Sequence, residues 1–155
     1  MTQYLSSEAY RSLKQELKEL KTTRRREIAQ KLQEAKELGD LSENAAYQEA
    51  KREQSELETK ILEIEEFLRN ASIIRKSKNH NGLVRIGSTI TVVLLSQPKV
   101  KKVFTISGSL EANPKLGKIS NVSPLGKAFL GHKKGDVVIV KTPKGMVKYK
   151  IIDIK

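Results

Sequence analysis

Two acidic residues, Asp40 and Glu43, lie close together in a short segment that interrupts a long helical sequence. The chain offers few other groups for chemistry, because it has no cysteine and its two histidines, His80 and His132, are far apart in sequence. Disulfides, thiolate nucleophiles and cysteine-ligated zinc are therefore excluded, and a histidine-based metal cluster is not expected. Any metal chemistry must use carboxylate oxygens, which suit a hard divalent cation such as Mg²⁺.

The segments that carry these acids are predicted to be helices. Residues 7–71 are rich in helix-forming side chains, contain no proline and have one glycine, Gly39. Mostly apolar residues recur at three- and four-residue spacing on both sides of that glycine. Before it they are Leu13, Leu17, Leu20, Ile28, Leu32, Ala35 and Leu38, and after it Tyr47, Ala50, Gln54, Leu57, Ile61, Ile64 and Leu68.

The two stripes are predicted to pack against each other as an antiparallel coiled coil. The numbers of facing residues add to a constant for Leu38 with Tyr47, Ala35 with Ala50, Ile28 with Leu57, Arg24 with Ile61, and Leu17 with Leu68. The short turn at residues 39–42 favours an intramolecular hairpin, and an intermolecular coiled coil is the alternative. Four-residue steps from Leu20 to Leu32 depart from the heptad and predict local unwinding.

The turn between the helices has an ordinary structural explanation. Gly39 can end the first helix, Asp40 or Ser42 can cap the second, and Glu43 lies near its positive end. However, a helix over residues 7–38 would be roughly 48 Å long, which places both acids at the far tip of a rod. Two carboxylates cannot form a complete Mg²⁺ site, so the other ligands are expected from a partner.

The second half of the chain differs in charge and in pattern. Residues 1–75 carry 14 basic and 15 acidic side chains, whereas residues 76–155 carry 16 basic and 3 acidic ones, which indicates an anionic partner or a solubilising surface. Residues 76–83 are predicted to be a linker between a helical hairpin, residues 1–75, and a globular domain, residues 84–155.

The globular domain is predicted to be a small antiparallel sheet with one short helix, which gives an α+β protein. Strands are expected at residues 84–95, 100–107, 136–141 and 146–154, with a hairpin turn at 142–145. Ser123 and Pro124 predict the start of a helix over residues 124–130, and Gly131 predicts its end.

The segment GDLSENAAYQEAK, residues 39–51, resembles the tip motif of the bacterial Gre transcript cleavage factors. Segments within residues 117–143 (GKIS, SPL, GDVV and KTP) resemble their globular domain, and ISNVSPLGKAFLG favours the GreA-like branch. The resemblance implies an FKBP-like domain, without prolyl isomerase activity, that docks at the rim of the RNA polymerase secondary channel. It also implies that the coiled coil enters the channel.

By position, Asp40 and Glu43 match the family's tip acids, which help to hold the second catalytic Mg²⁺ of the polymerase. The resemblance implies an accessory factor, not itself an enzyme and with no cofactor of its own, that stimulates cleavage of backtracked nascent RNA near its 3′ end. Ala46 departs from the family, in which many members carry an acid there. Supporting residues at the tip would be Gly39, Leu41, Ser42, Asn44 and Tyr47, and possible RNA contacts would be Lys51 and Arg52.

Two other functions are compatible with parts of the sequence. An inhibitor of the same channel would have a more acidic tip than this one, and a basic nucleic-acid-binding module would use the second half of the chain. No apolar run approaches the roughly 18 residues of a membrane span, and the segment MTQYLSSEAY does not resemble a secretory signal. A cytoplasmic, monomeric protein that does not bind membranes is expected.

Overall fold

The computed structural model describes residues 2–40, 43–75 and 81–155. Contacts divide the chain into two units. Tyr10–Ala71 forms one unit, and the residues up to Ala9 together with Ser72–Lys155 form the other. None of the described helices has the length and apolar character required to cross a membrane.

The first unit is the predicted antiparallel helical hairpin, which is confirmed. Its first arm consists of α1 (Ser7–Glu19), a π-helical turn (Leu20–Arg24) and α2 (Arg25–Glu37), and its second arm is α3 (Ala45–Arg69). Ile28, Leu57 and Ile61 form its buried core. Leu17, Leu20 and Leu32 pack against this core.

The π-helical turn lies where the sequence departs from the heptad. A π-helix has a wider turn than an α-helix, so it absorbs the drift that four-residue steps introduce into a coiled coil. The half-buried Arg24 ends this turn, and its guanidinium donates to Glu53 of α3 at 3.2 Å and to Glu27 at 3.0 Å. The predicted seam position of Arg24 is therefore occupied by a side chain that turns to a carboxylate on the opposite arm.

Close packing between the arms ends before the turn. Ala35 and Ala50 are 4% and 3% exposed, whereas Leu38 is 76% exposed. Leu38 lines an open cleft of about 470 Å³ together with Ala46 and Ala50, whose methyl groups are too small to cover it. The prediction that Leu38 lies in the buried seam was therefore wrong.

Ion pairs link the two arms along their exposed edges. Arg25 donates two hydrogen bonds of 2.9 Å to Glu58, and Lys31 lies 2.9 Å from Glu53. Each exposed pair contributes little to stability, because its charges remain solvated and are screened by salt. Their arrangement opposes basic residues of the first arm to acidic residues of α3, which favours this register over shifted ones.

Among its described residues, the second unit contains two sheets, one short α-helix and two 3-10 helical turns. Strands β1 (Gln3–Ser6) and β2 (Ala71–Ile74) pair with each other. Five further strands form a sheet in the order β5-β4-β3-β7-β6, antiparallel except for the parallel β4–β5 pair. They are β3 (Thr89–Leu94), β4 (Gln97–Ser107), β5 (Lys118–Ser120), β6 (Val137–Thr142) and β7 (Gly145–Ile154).

The predicted short helix is confirmed as α4 (Pro124–Phe129), and the Ser123 hydroxyl accepts a hydrogen bond of 3.0 Å from the Gly126 amide. The core includes Ile90, Val92, Ile106, Phe129 and Ile151. Phe104, Phe129 and Tyr149 pack on one another with ring centroids 5.6 to 6.3 Å apart. These aromatic rings belong to the core and form no exposed platform for stacking bases.

Strands β1 and β2 fall in the segment that the sequence assigned to the hairpin, yet they group with the second unit. A Cβ atom on Gly108 would lie 1.8 Å from the Tyr4 carbonyl oxygen, so β1 passes directly against a residue that must be glycine. Ser6 also donates from its amide and hydroxyl to Glu111, at 2.8 and 2.7 Å. Residues 76–80 of the predicted linker lie outside the described residues.

Replacement of Ile61 by aspartate should unfold the hairpin, because Ile61 is 2% exposed and an unpaired buried charge costs several kcal/mol. Circular dichroism should show a marked loss of helix while the sheet domain stays folded. The adjacent Leu62→Asp change is a matched control, because Leu62 is 64% exposed. Equal helix content in the two variants would contradict the packing described above.

Candidate functional site at the hairpin turn

The first arm ends in a sharply turned backbone that sets the position of Asp40. The amides of Leu38 and Gly39 donate to the carbonyls of Ala35 and Lys36, both at 3.2 Å. Gly39 then adopts a φ of 97°, a left-handed conformation that favours glycine because it has no Cβ. Asp40 follows immediately and is exposed.

The second arm begins with Asn44, whose side chain binds both arms. Its Oδ1 accepts a hydrogen bond of 3.0 Å from the Tyr47 amide and so caps α3. Its Nδ2 donates to the Ala35 carbonyl of α2 at 2.5 Å. These two bonds, here called the Asn44 bridge, join the start of one helix to the last turn of the other.

The expected cap was therefore wrong. Asn44 caps α3, whereas the sequence suggested Asp40 or Ser42, and Ser42 and Leu41 lie outside the described residues. Asparagine is among the best N-cap residues, and its amide has donors that an aspartate carboxylate lacks. The donor to Ala35 is what allows one side chain to satisfy groups on both arms.

Asp40 and Glu43 lie at the two ends of the turn that the Asn44 bridge closes. Both side chains are exposed, and Glu43 directly precedes the cap, where a negative charge is favoured by the helix dipole. Ionised carboxylates are acceptors only, so they can bind a cation or a hydrogen-bond donor. The described residues contain no group of three or more His, Cys, Asp or Glu side chains that could hold a metal ion.

Three further predicted site residues lie on α3. Tyr47 is half-buried, and the Lys51 ammonium lies 5.7 Å from the centroid of its ring. Arg52 pairs instead with Glu49 and Glu56 on its own helix, the latter at 2.7 Å. The hydrogen bond between Arg52 and Glu49 is the main cause of a raised pKa of Arg52 and a lowered pKa of Glu49. Arg52 is thus charged but already paired.

The basic cluster in the first arm is largely paired as well. Arg24 and Arg25 bind carboxylates of α3, whereas Arg26 is exposed. These arginines, together with Lys51 and Arg52 of α3, are the clustered basic residues of the hairpin. In the structure, Lys51 and Arg26 are the members of that set without a carboxylate partner among the described residues.

The Asn44 bridge can be tested by separating its two bonds. Asn44→Ala removes both, and it should lower the free energy of unfolding of the hairpin by about 1–2 kcal/mol. Asn44→Ser retains an acceptor for the Tyr47 amide but provides no amide donor to Ala35, so it should recover only part of that loss. Amide hydrogen exchange at Tyr47 should be fast in the alanine variant and slow in the serine variant. Equal stability and equal exchange in both variants would contradict the bridge.

Comparison with known proteins gives matches along both units. A family model described as transcription elongation factor, N-terminal, matches residues 3–73. A second model, described as transcription elongation factor, GreA/GreB, C-term, matches residues 79–155. The two models together cover the helical hairpin and the sheet domain.

Individual relatives agree with these models. Transcription elongation factor GreA of Listeria welshimeri is 45% identical over 147 residues, which are 95% of this chain and 91% of the relative. Transcription elongation factor GreA of Clostridioides difficile is 45% identical over 151 residues, which are 97% and 94% of the two chains. The crystal structure of GreA factor homolog 1 (Gfh1) of Thermus thermophilus is 29% identical and covers 100% of this chain and 99% of that one. Its TM-score with this chain is 0.44.

Proposed function

Because the chain belongs to the GreA/GreB family of transcription elongation factors, and is a Gre-type factor that stimulates transcript cleavage, we propose that Asp40 and Glu43 are the residues that carry this activity. The partner is RNA polymerase. The sheet domain docks at the rim of its secondary channel, and the hairpin turn enters the channel and reaches the active centre. The observation that supports this role is a pair of exposed carboxylates on a turn whose two ends are fastened by Asn44.

The residues at the turn fit a shared Mg²⁺ ion. Carboxylate oxygens are the ligands that Mg²⁺ prefers, and Mg²⁺ is commonly bound through one or two carboxylates plus phosphate oxygens and waters. Because Asp40 and Glu43 are only two ligands, the remaining positions are left for the polymerase, the RNA and water. The ion would supply activation of a water molecule for phosphodiester hydrolysis.

The chain's own contribution is to supply and orient two anionic ligands. Asn44 limits the movement of Glu43, which is its direct neighbour, and the left-handed Gly39 sets the direction in which Asp40 leaves α2. A group that must meet a reacting centre within a fraction of an ångström gains from such rigid support. On this proposal the factor is an accessory to the polymerase's own nuclease and binds no cofactor alone.

Lys51 is the better candidate of the two proposed RNA contacts. Its ammonium has no carboxylate partner among the described residues and lies over the Tyr47 ring, one helical turn from Tyr47. Arg52 must release Glu49 and Glu56 before it can bind a phosphate. We therefore assign contact with the nascent RNA near its 3′ end to Lys51 first and to Arg52 second.

The metal role can be separated from an ordinary turn by neutralising both acids. The double change Asp40→Asn with Glu43→Gln alters the shape little but removes two anionic ligands. Stimulation of transcript cleavage on a stalled elongation complex should therefore fall by about tenfold or more for each ligand removed. If the acids serve only the helix, the same changes should cost about 1 kcal/mol or less and leave cleavage intact. Short 3′ RNA fragments are the readout.

Glu63→Gln with Glu66→Gln provides a matched control, because both residues are exposed on α3 near its other end. This variant should stimulate cleavage by the polymerase as strongly as the unaltered protein does. The turn variant should keep its helix content and its affinity for polymerase, and each single variant should be partly rescued by raised Mg²⁺. If the variant with both acids of the turn neutralised stimulates cleavage fully, the proposed role of Asp40 and Glu43 is disproved.

A further inference from the structure

Strand β6 forms an open edge of the five-stranded sheet. Among the described residues it pairs with β7 on one side only, and it is the terminal strand in the sheet order. Its register with β7 is regular from Val137 opposite Lys150 to Thr142 opposite Gly145, so no bulge interrupts it. The opposite edge, β5, has three residues, whereas β6 has six.

The backbone groups that face this open edge can be identified. Thr142 and Gly145 close a two-residue turn, and the Ile151 amide donates to the Asp136 carbonyl at 3.0 Å. Since hydrogen-bonded and non-hydrogen-bonded pairs alternate in an antiparallel ladder, the even-numbered residues of β6 bond to β7. Val137, Ile139 and Lys141 therefore direct their N–H and C=O groups away from the sheet. Among the described residues, no hydrogen bond outside the β6–β7 ladder involves them.

The side chains beside this edge combine apolar and basic groups. Val137 and Ile139 are 47% and 53% exposed on the face opposite the core, while Val138 and Val140 are buried. Lys150 and Lys148 of β7 lie directly across from Val137 and Ile139. Lys141 and Lys144 extend the positive charge to the turn. No carboxylate of the described residues pairs with any of these four lysines.

Natural proteins usually block such an edge with proline, a bulge, charged side chains such as lysine, inward-facing charge or a short strand. In β6 the only charged residue is Lys141, which points outward, and proline first appears after the strand, at Pro143. We propose that β6 is a docking site for an acidic, extended peptide segment of a partner protein, which adds to the sheet as a sixth strand. Backbone hydrogen bonds would supply affinity and the lysines would select negative charge.

Charge distinguishes this partner from the alternatives. A second copy of the chain would bring its own lysines against the same edge, and like charges across a strand pair are destabilising. A nucleic acid would use the lysines but not the backbone groups or the exposed Val137 and Ile139. The aromatic residues of this sheet, which could stack on bases, lie in the core. The proposal does not depend on the role of Asp40 and Glu43.

The test uses the full-length protein and a fluorescein-labelled peptide of seven alternating glutamate and valine residues, with fluorescence anisotropy as the readout. The peptide should bind, and a lysine–valine peptide of equal length should not. In an extended peptide, alternate amides face opposite edges, so only one of the two sets can donate to β6. Two further peptides carry N-methyl groups on one set each, which removes those donors while the charge stays the same. The peptide whose β6-facing amides are methylated should bind about tenfold more weakly, because several backbone hydrogen bonds are lost together. Equal binding of the unmodified and both N-methylated peptides would overturn strand addition.

Two protein variants locate the site. Ile139→Pro removes an outward N–H at a position where an edge strand tolerates proline, and it should weaken peptide binding about tenfold. Lys148→Glu with Lys150→Glu should weaken it at least as much, while Lys99→Glu with Lys102→Glu, a matched charge change on the β3–β4 hairpin, should have a smaller effect. If Ile139→Pro does not fold, the N-methylated peptides still decide the question.

Three other results would overturn the proposal. The first is that none of the peptides binds. The second is tighter binding of a single-stranded RNA oligonucleotide than of the acidic peptide, if Lys148→Glu with Lys150→Glu abolishes the RNA binding. That result would assign the face to nucleic acid. The third is a dimer in analytical ultracentrifugation that Ile139→Pro dissociates, which would assign the edge to a second copy of the chain.

Discussion

The hydrogen bond from Asn44 to the Ala35 carbonyl is the contact on which the presentation of the tip depends. Close packing between the arms ends at Ala35 and Ala50, so apolar contacts alone do not fix the ends of the two helices. Beyond that point, the hydrogen bonds of the Asn44 side chain hold the two helix ends together. This side chain caps α3, adds a second hydrogen bond to a carbonyl in the last turn of α2 that already accepts the Leu38 amide, and does both without burying a charge.

This arrangement explains how two acids can be exposed at the end of a stable hairpin. Stability comes from the core around Ile28, Leu57 and Ile61, well removed in sequence from the turn. The π-helical turn keeps the stripe of the first arm directed at α3 despite the irregular spacing of its apolar residues. Asp40 and Glu43 are exposed and lie outside this buried core, so their side chains can be selected for what they bind.

Periodicity predicted the features that are repeated many times along the chain. The two arms, their antiparallel pairing, the four longer strands of the sheet domain and the Ser123 cap were all recovered from residue spacing and type. Features that involve few residues were not. Strands β1, β2 and β5 have three or four residues each, too few to show an alternation, and their positions depend on contacts such as that of Tyr4 with Gly108.

The candidate site shows the same division. The presence of acids at the turn was readable from the sequence, but the cap was assigned to the wrong residue because several good N-cap types stand in a row there. The Tyr47 amide and a carbonyl nine residues earlier both bind the Asn44 side chain, and these two contacts identify the cap. The pairing of Arg52 with Glu49 and Glu56 agrees with helical spacing, because they are its acidic neighbours three residues before and four residues after it, but the coordinates were needed to show that both pairs form.

On the proposed function, an incomplete metal site suits a factor that acts inside another enzyme. Two exposed carboxylates alone would hold Mg²⁺ weakly, because the ion keeps its hydration shell unless further ligands replace it. On the proposed function, the same two residues become effective only where the polymerase and the RNA supply the remaining oxygens. Hydrolysis would then be confined to complexes whose RNA lies in that position, and RNA in solution would be spared. The specificity of the reaction would follow from dividing one coordination shell between two proteins.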